Sequence, residues 1–285
     1  MKNATANAKA LLTMINIPLN YENTYRDEHG TLRCTKCHDL RETENVIRFF
    51  EKKMPVPCKC MKEKEQQERA RDEHKRKMQM LDKLRAASLL GERYKNTTFA
   101  NTDLSVGGDF EKAFHRCKKY CEVADQVLER GYGIYLFGAS GTGKTHLTAC
   151  ICNELISSYH QCLFTSFIEI SKLLKANYGK NTDAESTIKR ICEIDFLFID
   201  DLGTELLKKN GEDNWLQEQV FDIINKRYNN RKPTIFSSNY SLNELIEMRG
   251  MMQKTVDRIG EMSSAIIKIT GENYRFKNRP KEIPF

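Results

Sequence analysis

Short unbroken apolar runs alternate with longer amphipathic stretches over the second half of the chain. Ile134–Phe137, Cys162–Phe167, Phe196–Ile199, Thr234–Ser237 and Ala265–Ile269 are rich in β-favouring residues and too short for helices. They predict strands, with Ile134–Phe137 buried on both faces, as in a parallel sheet. Helical periodicity precedes or separates them at Glu111–Arg130, His146–Tyr159, Ile168–Ala176, Ala184–Glu193 and Glu247–Gly260. This βαβ alternation predicts an α/β fold, a parallel sheet flanked by helices. Upstream, Met61–Arg85 is densely charged, with Glu65/Arg69, Asp72/Arg76 and Glu73/Lys77 at i,i+4 spacing, which predicts an exposed connecting helix. Interleaved acids favour a solvated linker over a DNA-contacting helix. Short helices are expected at Ala10–Leu19 and Glu42–Phe50. The expected division is 1–60 as a small module, 61–90 as a charged linker and 91–285 as the α/β domain.

Charge and cysteines refine this picture. A formal net charge of +7 permits nucleic-acid or acidic-protein partners without requiring one. No apolar run reaches the roughly 18 residues of a membrane span, and a cytoplasmic protein is expected. Ten cysteines in a reducing compartment are expected as free thiols or metal ligands. Cys34 and Cys37 form CxxC, and Cys58 and Cys60 form CxC after Pro55 and Pro57. Two tight turns of this kind can offer four thiolates to one tetrahedral, structural Zn²⁺, with His38 able to replace a cysteine. Metal binding would supply the stability that so small a module cannot obtain from its core. Cys117, Cys121, Cys150, Cys152, Cys162 and Cys192 lack ligand spacing and read as small buried hydrophobes.

The densest chemistry follows the first of the five strands. Gly138, Ala139, Ser140, Gly141, Thr142, Gly143, Lys144 and Thr145 match the phosphate-binding loop, with His146 next and a helix beyond. Glycines let successive N–H groups converge on a polyphosphate at the positive end of the helix. Lys144 is placed to reach the β- and γ-phosphates, and the Thr145 hydroxyl to ligate Mg²⁺. Phe196–Ile199 ends in Asp200 and Asp201, where ligands of open α/β sheets bind. Asp200 fits the Mg²⁺-organising acid, and Asp201 the acid that polarises the attacking water. Asn239, at a strand tip, is either a holder of that water that senses the γ-phosphate or a turn former competing with Ser241 and Asn243. Arg258 reads on its own as a surface arginine paired with a carboxylate.

GASGTGKT, FLFIDD, TIFSSN and TVDRI in this order resemble the ATPase domain of the DnaC and DnaI helicase loaders, a branch of the AAA+ ATPases. ERYKNTTFAN before the sheet and the cysteine-bearing front ending in PVPCKC extend the resemblance over nearly the whole chain. It implies Asp200 as the Walker B acid, Asp201 as the catalytic acid where many relatives have Glu, and Asn239 as the sensor. It also implies Arg258 as an arginine finger supplied to a neighbouring subunit's nucleotide, hence self-association through the ATP site. Tyr178 and Lys180 correspond to an insertion that contacts single-stranded DNA. The implied activity is ATP-dependent loading of a replicative hexameric helicase, gripped by the zinc module, with hydrolysis releasing it. The short stretch after Arg258 is expected to leave no room for a helical lid. IstB-type transposition ATPases share this domain and form the alternative, although as a rule they lack the metal-binding front.

Overall fold

The computed structural model describes residues 23–43, 54–105, 107–176, 183–203, 214–247 and 251–274. The chain divides into two compact units, Met1–Met78 and Gln79–Phe285.

In the first unit, β1 (Thr24–Arg26) and β2 (Leu32–Cys34) form an antiparallel hairpin. Asp27 organises its turn: Oδ1 accepts from the N–H groups of His29 and Thr31 at 3.1 and 2.9 Å, and Oδ2 accepts from Arg33 at 2.6 Å. A second pair joins β3 (Glu42–Thr43) to β4 (Met54–Pro55). The helix predicted from Glu42 is therefore corrected at its start. Glu42 lies in a ladder, and its carboxylate accepts from Arg26 and the Leu32 N–H, both at 3.1 Å. The remainder of that segment and the predicted helix at Ala10–Leu19 lie outside the described residues. From Lys59 the chain enters α1 (Lys59–Ala87), close to the predicted charged helix, with Arg69–Glu65 and Lys77–Glu73 ion pairs at 2.6 and 2.7 Å.

In the second unit, α2 (Gly108–Glu122) and α3 (Ala124–Arg130) replace the single helix predicted over Glu111–Arg130. The β-branched Val123 leaves helical angles there (φ −113°, ψ 29°), and its N–H bonds to Tyr120 O three residues back, a tightening typical of a last turn. Then β5 (Gly133–Phe137), α4 (Lys144–Ser157), β6 (Cys162–Ser166), α5 (Phe167–Ala176), α6 (Asp183–Glu193) and β7 (Phe196–Leu202) alternate. Completing the unit are α7 (Asn214–Asn229), β8 (Thr234–Ser238), α8 (Leu242–Glu247), α9 (Gln253–Met262) and β9 (Ser263–Lys268). Strand order is β6-β7-β8-β5-β9, every pairing parallel, as the apolar runs predict.

In the inner strands those runs are unbroken because helices cover both faces, so successive residues need apolar partners on opposite sides, whereas the edge strand β9 leaves Ile266 exposed. Ile134 and Leu136 pack with Phe110, Leu147 and Ile151 on one face, whereas Tyr135 packs with Leu197, Phe236 and Ile259 on the other. Cys117, Cys121, Cys150, Cys152, Cys162 and Cys192 are all buried free thiols, as expected. Among the described residues no helix is long and apolar enough to cross a membrane.

One buried cation ties α6 and α7 to the sheet. Arg227, on α7, is fully buried and donates to Ile191 O, Ile194 O and Pro233 O at 2.8, 2.9 and 2.6 Å, and to Thr234 Oγ1 at 2.9 Å. Its fork satisfies carbonyls at the end of α6 that have no helical partner. Burial pushes its pKa down to about 9, so it remains charged at neutral pH. Arg227→Ala leaves those carbonyls unsatisfied in an apolar layer, and a loss of about 3 kcal/mol or more is expected in urea unfolding. A loss below about 1 kcal/mol, the range of a surface substitution, would contradict this role.

Candidate functional site

The phosphate loop spans the gap between β5 and α4. Two positions show why glycine is required. A Cβ on Gly138 (φ +149°) would lie 2.0 Å from Ile269 O, and one on Gly143 (φ +94°) would lie 2.5 Å from the Phe110 ring. Neither contact can relax without moving backbone or a buried ring.

Lys144 is buried at the first position of α4. Its Nζ donates to Gly138 O and Ala139 O, both at 2.8 Å, and to Asn239 Oδ1 at 2.9 Å. The loop lysine and the residue at the tip of β8 are thus in direct contact. Thr145 Oγ1 lies 3.2 and 3.1 Å from the two Asp200 oxygens. Neighbouring ligands of an octahedral Mg²⁺ at about 2.0–2.1 Å stand about 2.9 Å apart, so this hydroxyl and carboxylate fit one such ion. Burial raises the Asp200 pKa above the usual carboxylate value, Asp201 adds to the shift, and hydrogen bonds from Ser237 and Thr145 oppose it.

Asp200 and Asp201 lie inside β7 rather than beyond its end. The β7/β8 register runs Ile199↔Phe236 and then Leu202↔Ser238, so one extra residue on β7 forms a bulge. Asp201 there has φ +53°.

A cavity of about 740 Å³ joins Lys144, Thr145, Asp201 and Asn239 to Tyr94, Thr102, Phe110, His146 and Tyr274; Ser140, Gly141, Thr142 and Gly143 also line it. His146 Nε2 is 2.9 Å from Thr102 Oγ1, and burial lowers its pKa, favouring the neutral ring. Tyr94, Thr102, Phe110 and Tyr274 were not singled out from the sequence. Tyr94 and Thr102 lie in or beside the entrance stretch, but Phe110 and Tyr274 carry no local signal. The backbone N–H of Tyr274 donates to Gly141 O at 3.0 Å. Arg258 does not line this cavity. Its guanidinium lies 4.4 Å over the Tyr228 ring and donates to Glu261 at 2.6 Å. Tyr178 and Lys180 fall outside the described residues.

In the first unit, Cys34, Cys37, Cys58 and Cys60 present sulfurs within 4.8 Å of one another. Cys60 Sγ lies 3.6, 3.5 and 3.3 Å from those of Cys34, Cys37 and Cys58. A zinc tetrahedron with Zn–S of about 2.3 Å has edges near 3.8 Å, so the four residues fit that ion. Donation of its proton to the Cys58 sulfur, and to those of Cys37 and Cys34, pushes the Cys60 pKa up to about 12. His38 Nδ1 is 3.0 Å from Tyr25 Oη, and His38 is not part of the cluster.

A parallel sheet, a glycine loop opening a helix and paired acids beside the loop's threonine define a P-loop nucleotide-binding protein of the AAA+ type. Residues 59–282 match the family described as IstB-like ATP binding protein, and the chain belongs to that family. "Uncharacterized protein YqaM" of Bacillus subtilis is 28% identical over 201 residues, covering 69% of this chain and 62% of that protein. The chain therefore spans less than two thirds of that relative's length. The "Replicative helicase loader DnaI" of B. subtilis is 24% identical over 257 residues, covering 85% of this chain and 78% of that protein. The crystal structure of the DnaC helicase loader superposes with a TM-score of 0.54 at 24% identity, covering 63% of this chain and all of that one, which shows a shared fold.

Two measurements follow from this geometry. Metal analysis should find one zinc per chain in the wild type and less in Cys34→Ser and Cys60→Ser; undiminished zinc in both would rule out the four-thiolate site. Because the folded pKa of Asp200 is raised, the unfolded chain loses this proton first, and ionisation disfavours the fold as pH rises through the carboxylate range. In EDTA, Asp200→Asn should therefore gain thermal stability relative to wild type as pH rises from about 4 to 7. An unchanged difference across that window would refute the burial penalty.

Proposed function

We propose that the chain is an ATPase that loads a replicative DNA helicase onto single-stranded DNA. The observation that carries the ATPase reading is the joint presence of Lys144, Thr145, Asp201 and Asn239 on one cavity, with Asp200 bonded to Thr145. Loop N–H groups and the Lys144 ammonium bind the triphosphate. Thr145 and Asp200 would hold a Mg²⁺, which would supply positive charge to the triphosphate. Asp201 orients water for attack, and Asn239, already in contact with Lys144, reads the γ-phosphate. Arg258, on the surface of α9, is proposed to complete a neighbouring subunit's site, where an arginine meeting transition-state charge is worth about a thousandfold or more.

The helicase part is supported by the DnaC and DnaI relatives and by a cysteine module that fits zinc. Residues 1–60 are proposed to grip the helicase, 61–90 to connect and 91–285 to hydrolyse, with Tyr178 and Lys180 proposed to touch DNA. ATP drives such a cycle only through contacts made to the γ-phosphate and lost with it, and hydrolysis releases the helicase. The family description favours an IstB-like transposition helper as the second reading.

Copurification with a replicative helicase and with a transposase, with and without ATP, separates the two. ATP-dependent capture of the helicase is expected; capture of only the transposase would overturn the loader assignment. Within the ATPase, Asp201→Asn should bind ATP yet lose at least about 100-fold in turnover. Mixing Arg258→Ala with Lys144→Ala should restore part of the activity both lack alone. Wild-type turnover by Asp201→Asn, or no recovery on mixing, would contradict these roles.

A further inference from the structure

The bulge that carries the two acids faces one residue of β8, Ser237. Ser237 is fully buried. Its hydroxyl donates to Asp200 Oδ1 and accepts the Asp201 N–H at 3.2 Å. A bulge leaves ladder groups unpaired and re-aims the side chains it carries. Here a side-chain oxygen accepts the N–H of the left-handed residue and orients the neighbouring carboxylate. An alanine would offer neither bond, and a hydroxyl one position along, on Ser238, is already committed to Leu202 O at 2.7 Å.

We propose that Ser237 is the positioning residue of the magnesium–water machinery: one hydroxyl fixes the Asp200 carboxylate for the ion and holds Asp201 in the backbone conformation that aims it at water. This rests on the nucleotide-site reading above. The division of labour follows from the contacts. Thr145 and Asp200 share the candidate ion position, whereas Ser237 supports Asp200 from the strand behind it, as outer partners of metal ligands do. Removing such a partner typically costs 10–100-fold in metal affinity or activity. Ser237 touches neither the phosphate loop nor Lys144 in the hydrogen bonds described, so nucleotide binding without metal should be spared.

The test is a magnesium titration of a fluorescent ATP analogue bound to the full chain, with turnover measured alongside. Ser237→Ala should bind the analogue in EDTA like wild type but need about 10–100-fold more Mg²⁺ for half-maximal response. Ser237→Cys fills the same space with a weak donor and should behave like alanine, while Ser237→Thr, which keeps the hydroxyl, should restore the response. A wild-type magnesium midpoint in either Ser237→Ala or Ser237→Cys would overturn the proposal, as would failure of Ser237→Thr to restore it in a chain that melts like wild type. If wild type itself shows no magnesium-dependent tightening, the nucleotide-site reading fails first and takes the proposal with it.

Discussion

Two ionisable groups, the buried ammonium of Lys144 and the half-buried carboxyl of Asp200, lie at the carboxyl edge of the parallel sheet. Neither can stay there without partners, because a buried charge lacking hydrogen bonds destabilises the fold by more than a domain this size can absorb. The local architecture answers that demand. Carbonyls of the loop and the Asn239 amide surround Lys144, while the hydroxyls of Thr145 and Ser237 face Asp200. The ends of β5, β7 and β8 are thereby tied to one another, and the residues proposed to meet ATP are gathered at one edge of the sheet.

Parallel strands supply the rigidity for this arrangement and the bulge in β7 supplies its departure from regularity. An unbroken ladder would project Asp200 and Asp201 to opposite faces of the sheet. One extra residue opposite Ser237 lets both act at the same edge. The first unit meets a different constraint, since its described residues bury little apolar surface beyond Leu32, Cys34 and Cys58. Four converging sulfurs are the compensation that a small module of this kind uses.

Local motifs were legible in the sequence and long-range geometry was not. The glycine loop announces itself because its backbone demands fall on consecutive residues, and the CxxC and CxC pairs because ligand spacing is a local property. Five strands could be read because covered strands leave continuous apolar runs. Nothing nearby signals that Phe110, on a helix, and Tyr274, beyond the last strand, reach the same cavity, or that Ser237 stands opposite a bulge, since each depends on packing or register between segments far apart in sequence. The break at Val123 was missed because residues on both sides keep helical periodicity. Glu42 reads as helical in sequence because its strand partner, Pro55, lies beyond twelve intervening residues, the first of which continue a helical pattern to Phe50.

The buried lysine and the bulged acids are proposed to form one site for Mg²⁺ and ATP, and a crystal structure with a non-hydrolysable ATP analogue and Mg²⁺ tests this. The ion is expected within ligand distance of Thr145 Oγ1 and beside Asp200, with Lys144 Nζ turned from the Gly138 and Ala139 carbonyls to the phosphates. A nucleotide bound elsewhere, with Lys144 still on those carbonyls, would contradict it.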